Sequence, residues 1–214
     1  MQGMFVKLAA VDEGDYELMA RWLGPSVGGA LGMGTQSFIS AETVKEYFGG
    51  RTGNCAIIKT REGEKIGFIS WHTQRYEGSY EIGGIVGEPK LWDSGCGADA
   101  ALAVIHHLFH DRNAHRLQFT TGLYNKRAVG MVIKLLEERE VVLEGVLRDH
   151  CFLDGEYHDA IVVSILRDEW YAKMDEVGDL ANTIPEAEKE EARLAFRRYV
   201  EEHWKDDIGR TLIS

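Results

Sequence analysis

The stretch from Tyr80 to Ala100 constrains the fold of this chain more than any other part of its sequence. It reads as a β-strand through Val86, then a loop that contains Gly95 and Gly97, and then the start of a helix. Such a loop directs several backbone N–H groups to one point, where the helix dipole also favours negative charge. Glycine lets an anion approach closely because it has no side chain. The stretch therefore predicts a phosphate-binding loop at Trp92–Asp99.

Hydrophobic periodicity in the rest of the chain predicts a mixed α/β domain. The elements follow in the order β-α-α-β-β-β-α-β-α-β-β. The predicted strands are Phe5–Leu8, Cys55–Thr60, Lys65–Arg75, Tyr80–Val86, His115–Thr121, Val141–Leu153 and Asp159–Leu166. The predicted helices are Asp12–Leu23, a second from the cap Ser40 through Phe48, Gly97–His110 and Asn125–Glu138. Asp154-Gly155 is a strong turn pair, so the last two strands should form a hairpin.

Composition and charge exclude several classes of protein. The 214 residues suit one domain with an appendage, and no apolar run approaches the roughly 18 residues of a membrane helix. We therefore expect no membrane partner and no secretory leader. The net charge of −11 argues against general binding to a nucleic-acid backbone. Cys55, Cys96 and Cys151 have neither metal-ligand nor redox spacing, which predicts a reducing, cytoplasmic location.

Two segments depart from the regular pattern. Gly24–Gly34 is so rich in glycine that we expect a mobile loop, either a plain linker or a flap beside the substrate. From Asp168 the chain is polar with few helix or strand signals, until Thr183–Glu186 resembles a helix-capping box. An apolar stripe at helical spacing follows, formed by Phe196, Tyr199, Val200 and Trp204. The stripe must be buried, either on the body of the same chain or in a homodimer. We divide the chain into a domain at 1–171 and an acidic helical extension at 172–214.

Short motifs follow one another in a fixed order along the first 171 residues. They are Glu81-Ile82-Gly83, Gly87-Glu88-Pro89, Trp92, Gly95-Cys96-Gly97, Asp99-Ala100, Asn125, Lys134-Leu135, Glu144-Gly145, Leu147-Arg148, Asp154 to Asp159 and Leu166 to Trp170. The ordered set resembles the GNAT superfamily, particularly its branch of ribosomal-protein N-terminal and antibiotic acetyltransferases. The resemblance implies the GNAT fold, an α/β fold with a mixed central sheet and helices on both faces, here followed by the C-terminal helical extension.

The resemblance also implies an enzyme that moves an acetyl group from acetyl-CoA to a primary amine on a small molecule or peptide. The amine attacks the thioester directly while backbone donors stabilise the oxyanion, so no metal is needed. The implied catalytic residues are Glu81, as general base or equally as a structural or orienting carboxylate, and Tyr124, the tyrosine nearest to the leaving thiolate. The implied cofactor-binding residues are Ile85, Val86 and Gly87 for the pantetheine arm, Trp92, Asp93, Ser94, Gly95, Cys96, Gly97 and Ala98 for the pyrophosphate, and Asn125 near the pantetheine end.

The phosphate loop departs from the family pattern in its charge. Related enzymes usually have glycine at the position of Asp93 and a basic residue at that of Ser94. A like charge beside the pyrophosphate costs on the order of 1 kcal/mol, so we expect weakened binding of coenzyme A. Tyr124 also precedes Asn125, whereas the family's tyrosine follows its asparagine. Two alternatives follow: a GNAT-fold enzyme of natural-product assembly that uses aminoacyl-tRNA, and a non-catalytic GNAT domain that binds a ligand or a partner.

Histidines near the end of the predicted Gly97–His110 helix are a weaker candidate site. His106 and His110 lie one turn apart with Asp111 beside them, which resembles metal-ligand spacing. The sequence implies no third ligand, and we expect no metal site. Cys96 begins a helix, where thiolates are favoured, but the resembling family uses no cysteine nucleophile there.

Overall fold

The computed structural model describes residues 3–34, 36–49, 54–177 and 182–203. Its strands are β1 (Val6–Ala9), β2 (Cys55–Thr60), β3 (Lys65–Thr73), β4 (Ser79–Val86), β5 (Arg116–Gly122), β6 (Val142–Leu153) and β7 (Glu156–Leu166). Its helices are α1 (Asp15–Leu23), α2 (Val27–Met33), α3 (Ala41–Phe48), α4 (Cys96–His106), α5 (Lys126–Glu137), α6 (Arg167–Val177) and α7 (Glu186–His203). A 3-10 turn at Pro89–Leu91 precedes α4, and a π-helical turn at His107–Asp111 follows it. The predicted mixed α/β class is confirmed.

The strands form one seven-stranded sheet in the order β1-β2-β3-β4-β5-β7-β6. All neighbouring strands are antiparallel except β4 and β5, which are parallel. Ile85 on β4 lies under α2, while the next side chain, Val86, lies under Gly97 of α4. Successive side chains of a strand point to opposite faces, so helices cover both faces of the sheet. The parallel pair lies between the two covering helices and positions the site.

Residues 24–34 are the first correction to the sequence-based picture, because they contain the helix α2 in place of a loop. Ser26 begins the helix, since its hydroxyl accepts a hydrogen bond from the Gly29 N–H at 3.1 Å. Gly34, with a φ of 64°, ends it. A Cβ at Gly28 or Gly32 would lie 3.6 or 3.1 Å from Ile85. The glycines therefore allow α2 to pack closely on the sheet, a tertiary gain that offsets their low helix propensity.

Residues 167–177 are the second correction, because they form α6 where the sequence gives few helical signals. Trp170 is buried and its ring lies 6.1 Å from that of Phe109. The Arg167 guanidinium donates to the carbonyls of Phe109 at 2.6 Å and Ala114 at 3.3 Å. These contacts hold the first turn of α6 on the domain, which local propensity cannot show.

Contacts divide the chain into two units, Met1–Tyr171 and Ala172–Ser214. The second unit contains α7, whose surface carries ion pairs between Glu186 and Arg193 at 2.8 Å and between Arg193 and Glu190 at 2.9 Å. Of the apolar stripe, Val200 is buried, whereas Phe196 and Tyr199 are more than half exposed in the single chain, so their burial stays a prediction. Trp204 lies outside the described residues. Among those residues, no helix is long and apolar enough to span a membrane.

Candidate active site

A gap opens in the sheet between β4 and β5. The two strands pair at Ser79–Glu81 with Arg116–Gln118, and their pairing ends there. Further along, β4 continues to Val86 and β5 to Gly122 without pairing with each other. We call this gap the wedge. It leaves one edge of a buried strand open in the middle of the sheet, where a strand-like ligand can add backbone hydrogen bonds.

The main chain of β4 alternates between its two neighbours. The Gly87 N–H donates to the Ile66 carbonyl at 2.8 Å, on the β3 side, whereas the Gly78 carbonyl accepts from the Arg116 N–H at 3.2 Å, on the β5 side. Odd-numbered residues of β4 therefore bond to β3, and even-numbered residues face β5. Beyond the last pair, the residues whose main chain faces the wedge are Ile82, Gly84 and Val86. Of the three residues predicted to bind pantetheine, Val86 faces the wedge, while the main chains of Ile85 and Gly87 face β3.

Glu81 lies at the vertex of the wedge, as the last residue of β4 that pairs with β5. The Thr120 hydroxyl donates to its Oε1 at 2.5 Å across the diverging strands, and Gln74 Nε2 donates to its Oε2 at 2.9 Å. The side chain is half-buried. Two hydrogen bonds fix the carboxylate in one orientation, and each oxygen keeps a further lone pair for a substrate proton or a water. The residue predicted as base is therefore a positioned acceptor.

The other end of the wedge leads to the N-terminus of α4. Gly95 precedes the helix with a φ of 81°, a conformation that favours glycine, and provides no side chain to cap it. The Cys96 N–H has a long bond of 3.4 Å to the Ser94 hydroxyl, which itself donates to the Leu91 carbonyl at 2.6 Å. The first amides of a helix have no partner within the helix, so those of Gly97 and Ala98 remain available to an anion.

An arginine from another helix reaches the phosphate loop. Arg127 of α5 donates to both carboxylate oxygens of Asp93, at 2.9 and 3.3 Å, and its guanidinium lies 5.0 Å from the centre of the Trp92 ring. Hydrogen bonding from Arg127, followed by the charges of Arg127 and Lys126, lowers the pKa of Asp93. α5 therefore brings two cations that offset the negative charge of Asp93, while the expected weakening of coenzyme A binding stays a prediction. The sequence contains a signal for this contact, because Lys126 and Arg127 are the first residues of α5. Cations in the first turn of a helix oppose its dipole, so this placement is unusual.

Trp92 and Asp99 hold the loop in place. The Trp92 indole N–H donates to the Val86 carbonyl at 2.6 Å, which ties the loop to the end of β4. The buried Asp99 carboxylate accepts the backbone N–H groups of Met4, Phe5 and Val6 at 2.8, 2.7 and 2.9 Å. Sequence analysis placed Asp99 only as the start of a helix. The structure shows that it joins the N-terminal strand to α4.

Tyr124 and Asn125 contact α2 at the mouth of the wedge. The Tyr124 hydroxyl donates to the Ala30 carbonyl at 3.2 Å, and burial, followed by the nearby Cys151 thiol, raises the pKa of Tyr124 to about 12. Asn125 Nδ2 donates to the Leu31 carbonyl at 3.1 Å, while its Oδ1 accepts the Ala128 N–H at 3.2 Å and caps α5. These bonds give both residues a clear positioning role. Their predicted roles in proton donation and cofactor binding stay predictions.

The histidines near the end of α4 and Cys96 are the remaining candidates. His106 and His110 rings lie 5.1 Å apart, but no group of three or more His, Cys, Asp or Glu side chains in the described part of the chain could hold a metal ion. His110 Nδ1 instead lies 3.1 Å from the Tyr171 hydroxyl. Cys96 is buried at the start of α4, and its predicted part in binding the pyrophosphate stays a prediction.

Comparison with known proteins gives the family. A family model described as an acetyltransferase (GNAT) domain matches residues 6–135. Among solved structures, a GNAT-family acetyltransferase from Bacillus anthracis is 18% identical, with 78% of this chain and 98% of that chain covered and a TM-score of 0.64. A spermidine N-acetyltransferase from Vibrio cholerae, in complex with CoA and spermine, is also 18% identical, with 78% and 98% covered and a TM-score of 0.65. A comparison with curated proteins finds no match. The chain belongs to the GNAT family and is an acetyltransferase.

Proposed function

We propose that the protein transfers an acetyl group from acetyl-CoA to a primary amine of a small molecule or peptide, by direct attack of the amine on the thioester. The observation that carries this proposal is the wedge, which begins at Glu81 and leads to the uncapped N-terminus of α4. One end offers a fixed carboxylate and the other an anion site. Between them, an open strand edge suits an extended arm that carries amide groups.

The donor site follows from this geometry. The Gly84 main chain and the Val86 N–H face the wedge and are the groups that we expect to pair with the pantetheine amides, since the Val86 carbonyl already accepts the Trp92 indole N–H. The pyrophosphate is expected at the amides of Gly97 and Ala98, where Arg127 supplies the positive charge. Arg127 also offsets the charge of Asp93, which was the feature that favoured a donor other than acetyl-CoA. We therefore propose acetyl-CoA rather than aminoacyl-tRNA.

The chemical step needs one proton acceptor. The amine nitrogen attacks the thioester carbonyl, its C–N bond forms, the C–S bond breaks, and the proton that the nitrogen loses passes to Glu81 or to a water bound to it. The coenzyme A sulfur leaves as a thiolate, which then takes up a proton. We propose Glu81 as the group that accepts the proton of the amine. Tyr124, whose hydroxyl donates to the Ala30 carbonyl at 3.2 Å, positions α2 and stays the predicted proton donor to the thiolate.

The acceptor class and the location are further parts of the proposal. A solved relative of the same fold is described as bound to spermine, a cationic amine, which supports an amine acceptor. The ordered motifs support membership of the ribosomal-protein N-terminal and antibiotic branch. The cysteines Cys55, Cys96 and Cys151 are all free, which fits a cytoplasmic protein. We treat 172–214 as an extension beyond the catalytic domain.

Calorimetry with acetyl-CoA tests the donor. We expect binding to the wild-type protein, and the absence of heat at millimolar ligand would refute an acetyl-CoA enzyme. A screen of acetyl-CoA against charged tRNA, with a panel of amines and mass detection of products, then identifies the transferred group. Acylation from tRNA alone would establish the aminoacyl-tRNA alternative, and donor binding without any product would establish the non-catalytic one.

Substitution of Glu81 tests the base. We expect Glu81→Gln to lower kcat about 100-fold, within the usual contribution of general base catalysis, with little change in acetyl-CoA affinity. The matched control is Glu77→Gln, an exposed carboxylate before β4. A variant with wild-type kcat would leave Glu81 only a structural role.

A further inference from the structure

A cysteine, a histidine and a tyrosine converge at the mouth of the wedge. Cys151 of β6 and His158 of β7 are directly opposite each other in the antiparallel ladder. Side chains of such a pair lie on one face of the sheet, with their Cβ atoms about 5 Å apart. The Tyr124 ring packs edge-on against the His158 ring, with 5.3 Å between the ring centres. We call these three residues the thiol cluster.

The thiol of this cluster also adjoins the hydroxyl. A Cβ at Gly34 would lie 3.1 Å from the Tyr124 hydroxyl oxygen and 3.6 Å from the Cys151 sulfur, so both atoms border one point at the end of α2. The thiol is a hydrogen-bonding neighbour of this hydroxyl. Cys151 is only partly buried, whereas Cys55 and Cys96 are buried. Cys151 is therefore the most accessible of the three cysteines.

A bulge in β6 brings the cysteine to this position. Counted from Leu147, the last regular pair before the bulge, an undistorted ladder would place Asp149 opposite His158. Two extra residues in β6 place Cys151 there instead. Asp149 has a φ of 50°, and its N–H donates to the Asp159 carboxylate at 2.9 Å, which holds the bulge. Bulges commonly redirect side chains next to active sites.

The thiol cluster lies on the same face of the sheet as Glu81. Thr120 donates to Glu81 and pairs with Val162 of β7. Every second residue of a strand points to the same face, so the face of β7 that carries Val162 also carries His158. Cys151, the partner of His158, shares that face. The thiol, the imidazole and the proposed catalytic carboxylate therefore point to one side of the sheet.

A donor in the wedge crosses the sheet to reach this side. Glu81 and Ile85 are four positions apart on β4, so both point to the face that α2 covers. The phosphate loop leads into α4, which covers the opposite face. A donor whose phosphates lie at α4 therefore passes through the wedge. Its thioester emerges on the face that carries Glu81 and the thiol cluster.

Gly122 brings the thiol cluster close to the wedge. A Cβ at Gly122 would lie 2.4 Å from the Tyr124 ring, so the ring covers β5 at this position. Gly122 is two residues from Thr120, which is about 7 Å along a strand. Thr120 in turn holds the Glu81 carboxylate. The cluster and the carboxylate therefore flank the same opening.

We propose that Cys151 is a second acyl acceptor, which takes the acetyl group of acetyl-CoA and forms an S-acetyl enzyme when no amine is bound. This inference rests on the proposed donor and adds an activity to amine transfer. The Cys151 sulfur attacks the thioester carbonyl, its new C–S bond forms, and the C–S bond to coenzyme A breaks. The thiol proton passes to His158 and from there to the coenzyme A thiolate. One thioester replaces another, so the step needs no further reactant.

Intact-mass spectrometry measures the acyl enzyme. Wild-type protein with excess acetyl-CoA and no amine should gain the mass of one acetyl group. Neutral hydroxylamine should remove this group, because it cleaves thioesters and leaves amides intact. Cys151→Ala should gain no hydroxylamine-sensitive group, whereas the matched control Cys55→Ala, which lacks a buried cysteine, should be labelled like the wild type. Labelling that persists in Cys151→Ala overturns the assignment of this thiol.

Substitution of His158 tests the base. His158→Gln should lower the rate of labelling about 100-fold, while its affinity for acetyl-CoA in calorimetry stays that of the wild type. His150→Gln is the matched control, because His150 is an exposed histidine of the same hairpin, and it should be labelled at the wild-type rate. Labelling of His158→Gln at the wild-type rate overturns the role of the imidazole.

A thioester without phosphates separates this inference from the proposed function. S-acetyl-N-acetylcysteamine keeps only the sulfur end of coenzyme A and should also label Cys151, at a lower rate. Wild-type protein that binds acetyl-CoA but is labelled by neither thioester overturns the inference and leaves the proposed function intact. Labelling of Cys151 by the short thioester in a protein that does not bind acetyl-CoA supports the thiol as acceptor and refutes the proposed donor.

Discussion

Removal of the Asp99 carboxylate should destabilise the fold more than an ordinary substitution at a helix start. In the native protein this carboxylate accepts three backbone N–H groups from Met4, Phe5 and Val6. The Val6 N–H is buried, so in Asp99→Ala it loses its partner without gaining water, at a cost of about 1–3 kcal/mol. The other two N–H groups are nearer the surface and recover water, so each bond contributes roughly 0.5 kcal/mol. We expect a total loss of about 3 kcal/mol.

Urea unfolding followed by tryptophan fluorescence measures this loss, since the chain has five tryptophans. With a slope near 2 kcal/mol per molar, the midpoint should fall by about 1.5 M. Asp99→Asn keeps one carbonyl oxygen and should lose roughly half as much. Asp168→Ala removes an exposed carboxylate from the first turn of α6 and should lose less than about 1 kcal/mol. If Asp99→Ala and Asp168→Ala unfold at the same urea concentration, the three hydrogen bonds do not contribute as argued.

Three further outcomes follow from the structure. Arg127→Gln should weaken acetyl-CoA binding about fivefold in calorimetry. Asp93→Asn, which releases the same arginine, should not weaken the binding. If both variants weaken it equally, the role of the arginine is contradicted. Gly32→Ala should lower the free energy of unfolding relative to Gly130→Ala by at least about 1 kcal/mol in urea, because a Cβ at Gly32 meets β4 at 3.1 Å and one at Gly130 meets nothing. Burial raises the pKa of Cys55 from its ordinary value of 9.0 to about 12, so the folded state keeps a proton that the unfolded state releases. The contribution of this thiol to the free energy of unfolding should therefore be fully present below pH 9 and be lost between pH 9 and 12. A Cys55→Ala variant that shows the same alkaline decline would exclude this thiol as its cause.

The sequence predicts the centre of the domain well because the signals there are local. A strand, a loop with Gly95 and a helix start leave a pattern within twenty residues, and the structure has each of them. Ser40 as the cap of α3 is confirmed by the Thr43 N–H, which donates to its hydroxyl at 3.2 Å. β2 runs from Cys55 to Thr60 as predicted. The strands β6 and β7 also follow from alternation and a turn pair.

The rest could not be read locally because distant residues determine it. α2 is stable where Gly32 meets Ile85, a contact between residues more than fifty positions apart. The charge of the phosphate loop depends on Arg127, which lies 34 positions after Asp93. The partners of Glu81 are Gln74, just after β3, and Thr120 on β5. Glycine content and charge at single positions thus gave an incomplete account of both the helix and the loop.

The short helix α2 has a consequence for how ligands affect one another. Seven residues with several glycines are too few to form a stable helix alone, and the last carbonyls of α2 are held by Tyr124 and Asn125 at the mouth of the wedge. A ligand in the wedge that draws either side chain away must weaken α2, and a ligand that holds α2 must keep both side chains in place. Linkage of this kind is reciprocal. The factor by which the first ligand changes the affinity of the second therefore equals the factor by which the second changes the affinity of the first.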